Sequence, residues 1–173
     1  LAELWDGIVL TSKEEKIVEA LKILEPSVER ISFTSRQTSN TGILLKLKDQ
    51  QEPIPLGSMG DGMRRILTLA TSAVMAENGV LLVDEIDTGL YYRAQTDVWR
   101  ILIETSQRLK VQIFATTHSL DCVRAFQEAL SQSSDPSSGL LFRLSLRDKT
   151  EIRPVLYNAD DLAIAIHEDI EVR

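Results

Sequence analysis

Two short apolar runs, each ending abruptly in reactive side chains, constrain this chain more than any other feature. In "GVLLVDEIDTGLYY", Gly79 to Tyr92, the aliphatic residues Val80 to Val83 lead straight into Asp84, Glu85 and Asp87. Three acids in four positions repel one another unless water, a cation or hydrogen-bond donors separate their charges. In "VQIFATTH" a second apolar run ends in Thr116, Thr117 and His118. Short continuous runs of this kind read as strands buried on both faces. Twenty-six residues lie between Asp84 and Val111, ample for a right-handed parallel crossover through a helix. That helix is expected over Tyr92 to Leu109, with Ala94, Val98, Ile101, Leu102 and Leu109 turned inward.

In open parallel sheets, ligands gather at the carboxyl ends of the strands. If these two strands are neighbours, an acid pair and a histidine face one crevice. A carboxylate at a strand end can hold hydrated Mg²⁺, a second can orient or deprotonate a water, and a histidine can hydrogen-bond a phosphate oxygen. Those are the roles phosphoryl transfer requires. The plainer account lets the acids cap the following helix, where negative charge suits the N-terminal dipole. It serves Asp87 as well as a functional role does, but it does not explain Asp84 and Glu85 directly after a strand. A third element belongs with these. The loop "LGSMGDGMRR" precedes a helix, and Gly60 and Gly62 let backbone amides approach a ligand at the helix start. Ser58 adds a hydroxyl, and Arg64 and Arg65 add charge. By itself such a loop could equally be a tight turn with two surface arginines.

The remaining segments frame these three. "TSKEEKIVEALKILEPSV" reads as a helix with a Ser12–Glu15 capping box, an apolar face of Ile17, Val18, Leu21 and Leu24, and a stop at Pro26. The charges of Lys13 to Lys16 read as its solvated face. A hairpin with a polar loop follows, then a Pro/Gly-rich loop up to Gly62. The next helix carries Met63, Ile66, Leu67, Ala70, Ala73 and Val74, with a stop at Asn78-Gly79. Ser119 can cap a helix bearing Cys122, Val123, Phe126 and Leu130; "SQSSDPSSG" is a surface loop; a terminal hairpin and a short helix capped by Asn158 and ending near His167 close the chain. The expected architecture is α/β, parallel strands with flanking helices plus antiparallel hairpins at both ends. Trp5 and Trp99 are expected to pack in or at the edge of the core, and His167 to lie at the surface. At 173 residues the chain suits one domain. Its net charge of −7 argues against an isolated basic nucleic-acid module. A single cysteine, Cys122, cannot form an internal disulfide and is expected to be a buried small hydrophobe. No apolar run approaches the ~20 residues of a membrane span, and no signal peptide opens the chain, so no membrane partner and a cytoplasmic location are expected.

Motif order and spacing together resemble the C-terminal half of an ABC-type ATPase head, and more narrowly the AAA-type ATP-binding proteins related to the RecF, SMC and OLD families. "GSMGDGMRR" resembles the signature loop, with Ser58 and Gly60 on its serine and second glycine. "VLLVDEIDTGL" resembles Walker B and the D-loop. The resemblance makes Asp84 the magnesium-linked acid, Glu85 the catalytic glutamate and Asp87 the D-loop acid. "FATTHS" resembles the switch region, with His118 as its histidine. The matched core runs from about Pro53 to Phe126, and "IHEDIEVR" looks like the C-terminal end of such proteins. In these ATPases two heads sandwich ATP. The resemblance therefore implies a P-loop NTPase fold, ATP and Mg²⁺ as ligands, and a homodimer in which Ser58, Gly60 and Gly62 meet a γ-phosphate held by the partner head. Asp84, Glu85 and His118 would serve the nucleotide on their own head.

The chain departs from the pattern in three ways. Its signature is GSMGDG and not the transporter form LSGGQ. Tyr91 stands where many relatives have histidine. No stretch reads GxxxxGK followed by Ser or Thr, so nothing here supplies a phosphate-cradling loop. Residues 1–173 therefore read as a single partial head whose Walker A lobe is absent, and the start at Leu1 agrees with that. ATP and Mg²⁺ are then expected only with the missing lobe, and the isolated chain is expected to be inactive. Two other functions stay open at the level of sequence. A TOPRIM-like metal-dependent nuclease also clusters acids at strand ends, but it wants Asp-x-Asp and an earlier strand-end Glu, where this chain has Asp-Glu-x-Asp. A non-catalytic dimerisation or interaction module fits the missing phosphate loop. Relatives act in DNA repair, chromosome organisation and phage defence, which would make nucleic acid at most an indirect partner.

Overall fold

The computed structural model describes Trp5 and residues 7–22, 25–34, 42–147 and 151–172. Helix α1, Ser12–Leu21, buries Ile17, Val18, Ala20 and Leu21; Leu24 lies outside the described residues. Its cap sits one residue earlier than the Ser12–Glu15 box. The Thr11 side chain accepts from Lys13 N, while Glu14 Oε2 accepts from Leu10 N at 2.8 Å. Thr11 and Glu14 have the same spacing as Ser12 and Glu15. The preceding turn decides between the two pairs, because Thr11 Oγ1 also donates to Ile8 O at 2.5 Å and so fixes the entry of the chain.

Strands β1 (Val28–Phe33) and β2 (Ile43–Leu47) form the expected antiparallel hairpin; most of its polar loop, residues 35–41, lies outside the described residues. The segment after β2 is not all loop. Ile54–Pro55 forms a two-residue strand, β3, on the edge of β2, and Leu56–Met59 makes a 3₁₀ turn. Proline is tolerated there because an edge strand has one side free of ladder bonds.

Helix α2 (Asp61–Met75) carries its six expected apolar residues inward. Strand β4 (Val80–Val83), helix α3 (Tyr92–Leu109) and strand β5 (Gln112–Ala115) form the parallel crossover, with Leu81 opposite Ile113 and Val83 opposite Ala115. Helix α4 (Leu120–Ser131) is capped by Ser119, whose Oγ accepts from Cys122 N. Strands β6 (Leu141–Arg147) and β7 (Glu151–Tyr157) make the closing hairpin, and α5 (Ala159–His167) is capped by Asn158. One main core joins α1 to α4 with β1 and β2. Trp5 is buried and stacks on Phe33 with ring centroids 4.8 Å apart. Trp99 packs on Phe126 at 4.7 Å between α3 and α4. His167 is exposed at the end of α5.

One expectation fails here. β4 and β5 are covered on one face only. Leu81, Val83 and Ile113 point to the core, whereas Val80, Leu82 and Phe114 are 55%, 74% and 52% exposed. Among the described residues, β4 and β5 form a sheet of two strands, and strand alternation leaves every second side chain on the bare side.

Candidate functional site

Parallel pairing carries the two strand ends to one edge, and the residues just past that edge bind one another closely. Thr116 N donates to Val83 O at 2.9 Å and Ile86 N donates to Thr116 O at 3.0 Å, so backbone bonds continue beyond both strands. The Thr116 hydroxyl then joins the acids. It donates to Asp84 Oδ1 at 2.5 Å and accepts from Glu85 N at 2.9 Å. A neighbouring hydroxyl does the same for the third acid, since Thr117 Oγ1 donates to Asp87 Oδ1 at 2.5 Å and accepts from Ser119 N at 3.0 Å. Thr88 Oγ1 donates to Glu85 Oε2 at 3.2 Å. Donors therefore hold the three carboxylates, and that is how so dense an acid run is tolerated. Ile86, 1% exposed, pins the turn into the core beneath them.

Glu85 has φ 45°, in the left-handed region. The chain must reverse directly after the strand, and that residue takes the strained angle. Asp84, Glu85 and His118 are all exposed, and Asp87 is half-buried. His118 lies in the same four-residue connection, 116–119, as the two threonines.

The glycine loop lies at the head of α2. Gly60 caps the helix with φ 87° and ψ 169°, a conformation suited to glycine, and a Cβ there would meet open space. Gly62 follows in the first turn. Ser58 is exposed and its Oγ donates to Pro55 O at 2.7 Å. No hydrogen bond among the described residues joins Ser58, Gly60 or Gly62 to the acids. The nearest such link is one turn further on. Arg65 Nη2 donates to Asp84 O at 3.2 Å and to Glu85 O at 3.0 Å. Arg64 is exposed, as surface charge should be; Arg65 is half-buried.

The strand-end position of Thr116 and Thr117 is readable from the sequence, but their partners are not. Their hydroxyls become visible only once register sets Val83 opposite Ala115. Arg65 carried no distinguishing signal at all. Tyr91 is exposed and packs edge-on against Tyr92, whose ring lies 4.7 Å away; a side-chain hydrogen bond with Tyr92 that favours the protonated phenol raises Tyr91 above the ordinary range. A cleft of about 460 Å³ opens between α3 and α4, lined by Arg93, Asp97, Arg100, Arg124 and Glu128 among others. It includes none of the three acids, and its Arg100 and Asp97 pair with each other at 2.6 Å.

Among the described residues, no three carboxylate, histidine or cysteine side chains converge to hold an ion alone. Mg²⁺ does not need such a cage. It keeps most of its shell for water and phosphate and takes one or two carboxylates from the protein. Asp84 suits that demand: Thr116 fixes one carboxylate oxygen, and the other has no protein partner among the described residues. The donor set therefore fits Mg²⁺.

Comparison with known proteins bears on the fold and the family. A family model described as AAA ATPase domain matches residues 4–123. A curated relative from Helicobacter pylori, named ATP/GTP phosphatase, is 28% identical over 153 residues, which is 86% of this chain. The chain spans only 40% of the length of that relative. Among solved structures, an SMC ATPase described for ATP-driven dimerization and DNA-stimulated activation superposes with a TM-score of 0.59 at 17% identity, covering 91% of this chain and 90% of the other. The SMC head domain from Thermotoga maritima gives 0.55 at 16%, covering 89% and 51%. The fold is therefore that of an SMC-like ATPase head, the P-loop NTPase type, and the matched family model covers well over half of the sequence. The chain belongs to the AAA ATPase domain family.

Proposed function

We propose that this chain is the lobe of a dimerising, Mg²⁺-dependent ATPase that carries the signature loop, the Walker B acids and the switch histidine. Residues 1–173 act as one unit, and the phosphate-cradling loop comes from sequence outside it. The observation that carries the reading is the Thr116 hydroxyl, which holds Asp84 by its carboxylate and Glu85 by its amide at the edge where β4 and β5 end together. A site that hydrolyses a phosphoanhydride needs one acid fixed for the metal and a second held beside it and still open to water. Asp84 meets the first need and exposed Glu85 the second.

In this reading Asp84 would hold Mg²⁺, which supplies neutralisation of phosphate charge. Glu85 polarises the attacking water as general base. His118, in the same connection as Thr116, hydrogen-bonds the γ-phosphate. Asp87, tied to Thr117, keeps the D-loop in register with the switch loop. Ser58 and the amides at Gly60 and Gly62 meet the γ-phosphate bound on a second copy. The relatives, an ATP/GTP phosphatase and an SMC ATPase with ATP-driven dimerization, support the same class of chemistry.

In the full-length protein, Glu85→Gln is expected to keep ATP-dependent dimerisation while turnover drops by about 100-fold or more, the usual contribution of a general base. Steady-state phosphate release together with sizing in the presence of ATP checks this. Wild-type turnover in the variant would remove Glu85 from the mechanism.

A further inference from the structure

We propose that Arg65 is a positioning residue that couples the Ser58–Gly62 loop to the acid pair of the same lobe. The inference rests on the ATPase reading above and adds a part to it. Arg65 projects from the second turn of α2, five residues after Gly60. Its Nη2 reaches across to the turn after β4 and donates to two successive carbonyls, Asp84 O and Glu85 O. Among the described residues, no other side-chain hydrogen bond joins α2 to that turn.

Two features separate this contact from incidental packing. First, a single nitrogen bridges two successive carbonyls. Glu85, at φ 45°, turns its peptide out of the strand direction. Asp84 O then has Arg65 as its hydrogen-bond donor, while Glu85 O shares its lone pairs between Arg65 and Thr88 N. Second, Arg65 Nε is buried and has no hydrogen-bond partner among the described residues. A buried donor without a partner is unfavourable, so the two carbonyl bonds at the other end of the guanidinium are what favour this pose. An arginine serving only as surface charge would turn Nε to water.

The consequence is mechanical. Helix α2 is a rigid rod whose first residues form the loop that would face a second copy's nucleotide. A shift of that loop moves Arg65, and Arg65 holds the backbone from which the Asp84 and Glu85 carboxylates extend. Seating of the loop on a partner would thereby set the acid pair in its own lobe. Without Arg65 the two sites would lose this link.

The test compares Arg65→Met, which keeps the apolar stem, with Arg65→Lys, which restores one donor, in the full-length protein alongside Glu85→Gln. The Arg65→Met variant is expected to lower kcat on the order of 100-fold, as small misplacements of catalytic groups do, with KM for ATP and ATP-dependent dimerisation unchanged. Arg65→Lys should recover part of that loss. Hydrogen exchange should accelerate about 10-fold in residues 84–88 of Arg65→Met, matching loss of a charge-assisted bond, and not elsewhere. Wild-type kcat in Arg65→Met beside an inactive Glu85→Gln would overturn this inference and spare the ATPase reading. Wild-type turnover in Glu85→Gln would remove the ATPase reading, and the exchange rates would still show whether Arg65 braces the turn. Unchanged exchange in 84–88, or faster exchange throughout the molecule with no recovery in Arg65→Lys, would reduce Arg65 to ordinary packing.

Discussion

Glu85 combines a strained backbone with the chemically most demanding side chain in the turn. A non-glycine residue at φ 45° crowds its Cβ against the following carbonyl, a penalty of roughly 1–2 kcal/mol. Glu85→Gly is therefore expected to raise unfolding stability by up to about 1 kcal/mol, allowing for the lost Thr88 contact, while abolishing ATP turnover in the full-length protein. Urea denaturation checks the first half; a loss of stability would mean that the turn is not strained. The carboxylates themselves were legible in the sequence, because an apolar run ending in Asp-Glu-x-Asp stands out against any background. What holds them was not. Thr116 is 32 residues from Asp84, and only the parallel register brings its hydroxyl to Asp84 Oδ1. Arg65 looked no different from Arg64, and a side chain's reach across to another element leaves no trace in local pattern.

Among the elements, caps were read well where one candidate existed and misplaced where two overlapped. Ser119 and Asn158 stand alone before their apolar runs, and both cap as expected. At α1, Thr11 and Ser12 compete, and the turn through Ile8 selects Thr11. Thr11→Ala is expected to destabilise by about 1 kcal/mol and Ser12→Ala by almost nothing, measurable as a split in thermal midpoints. The reverse order would restore the box at Ser12. The helix α4 face was also legible. Cys122 is 1% exposed, with Trp99 Nε1 donating to its sulfur at 3.4 Å. Burial pushes its thiol above the usual range, with Trp99 and Thr117 pulling weakly the other way, so it behaves as a small core residue and not as a nucleophile.

For the whole molecule, the informative surface is apolar and uncovered. On β4 and β5 the bare face carries Val80, Leu82 and Phe114. On the closing hairpin, Phe142 pairs with Leu156 and Leu146 with Ile152, and all four side chains are more than half exposed. Two-stranded sheets are marginal unless one face is packed, so these faces contribute little to the stability of the chain as described. Leu82→Ala, at 74% exposure, is expected to change unfolding free energy by less than about 0.5 kcal/mol. Ile86→Ala, at 1% exposure, is expected to cost about 2–5 kcal/mol. Equal losses in a chemical denaturation series would show that the Leu82 face is packed in solution.

Periodicity and punctuation are local properties, and they settled what lay in the sequence itself: the main helices and strands, though not the short β3 and its 3₁₀ turn, where the acids and glycines fall along the chain, and the order of motifs that marks an AAA-type ATPase. Contacts between residues far apart in sequence were left to the tertiary structure. It decided that β4 and β5 are neighbours, that Thr116 and Thr117 hold the acids, that Arg65 grips the acid turn, and that each strand has one bare face. The physical reason is that register and burial depend on what packs across a gap, and a chain's own spacing does not say what lies on the other side.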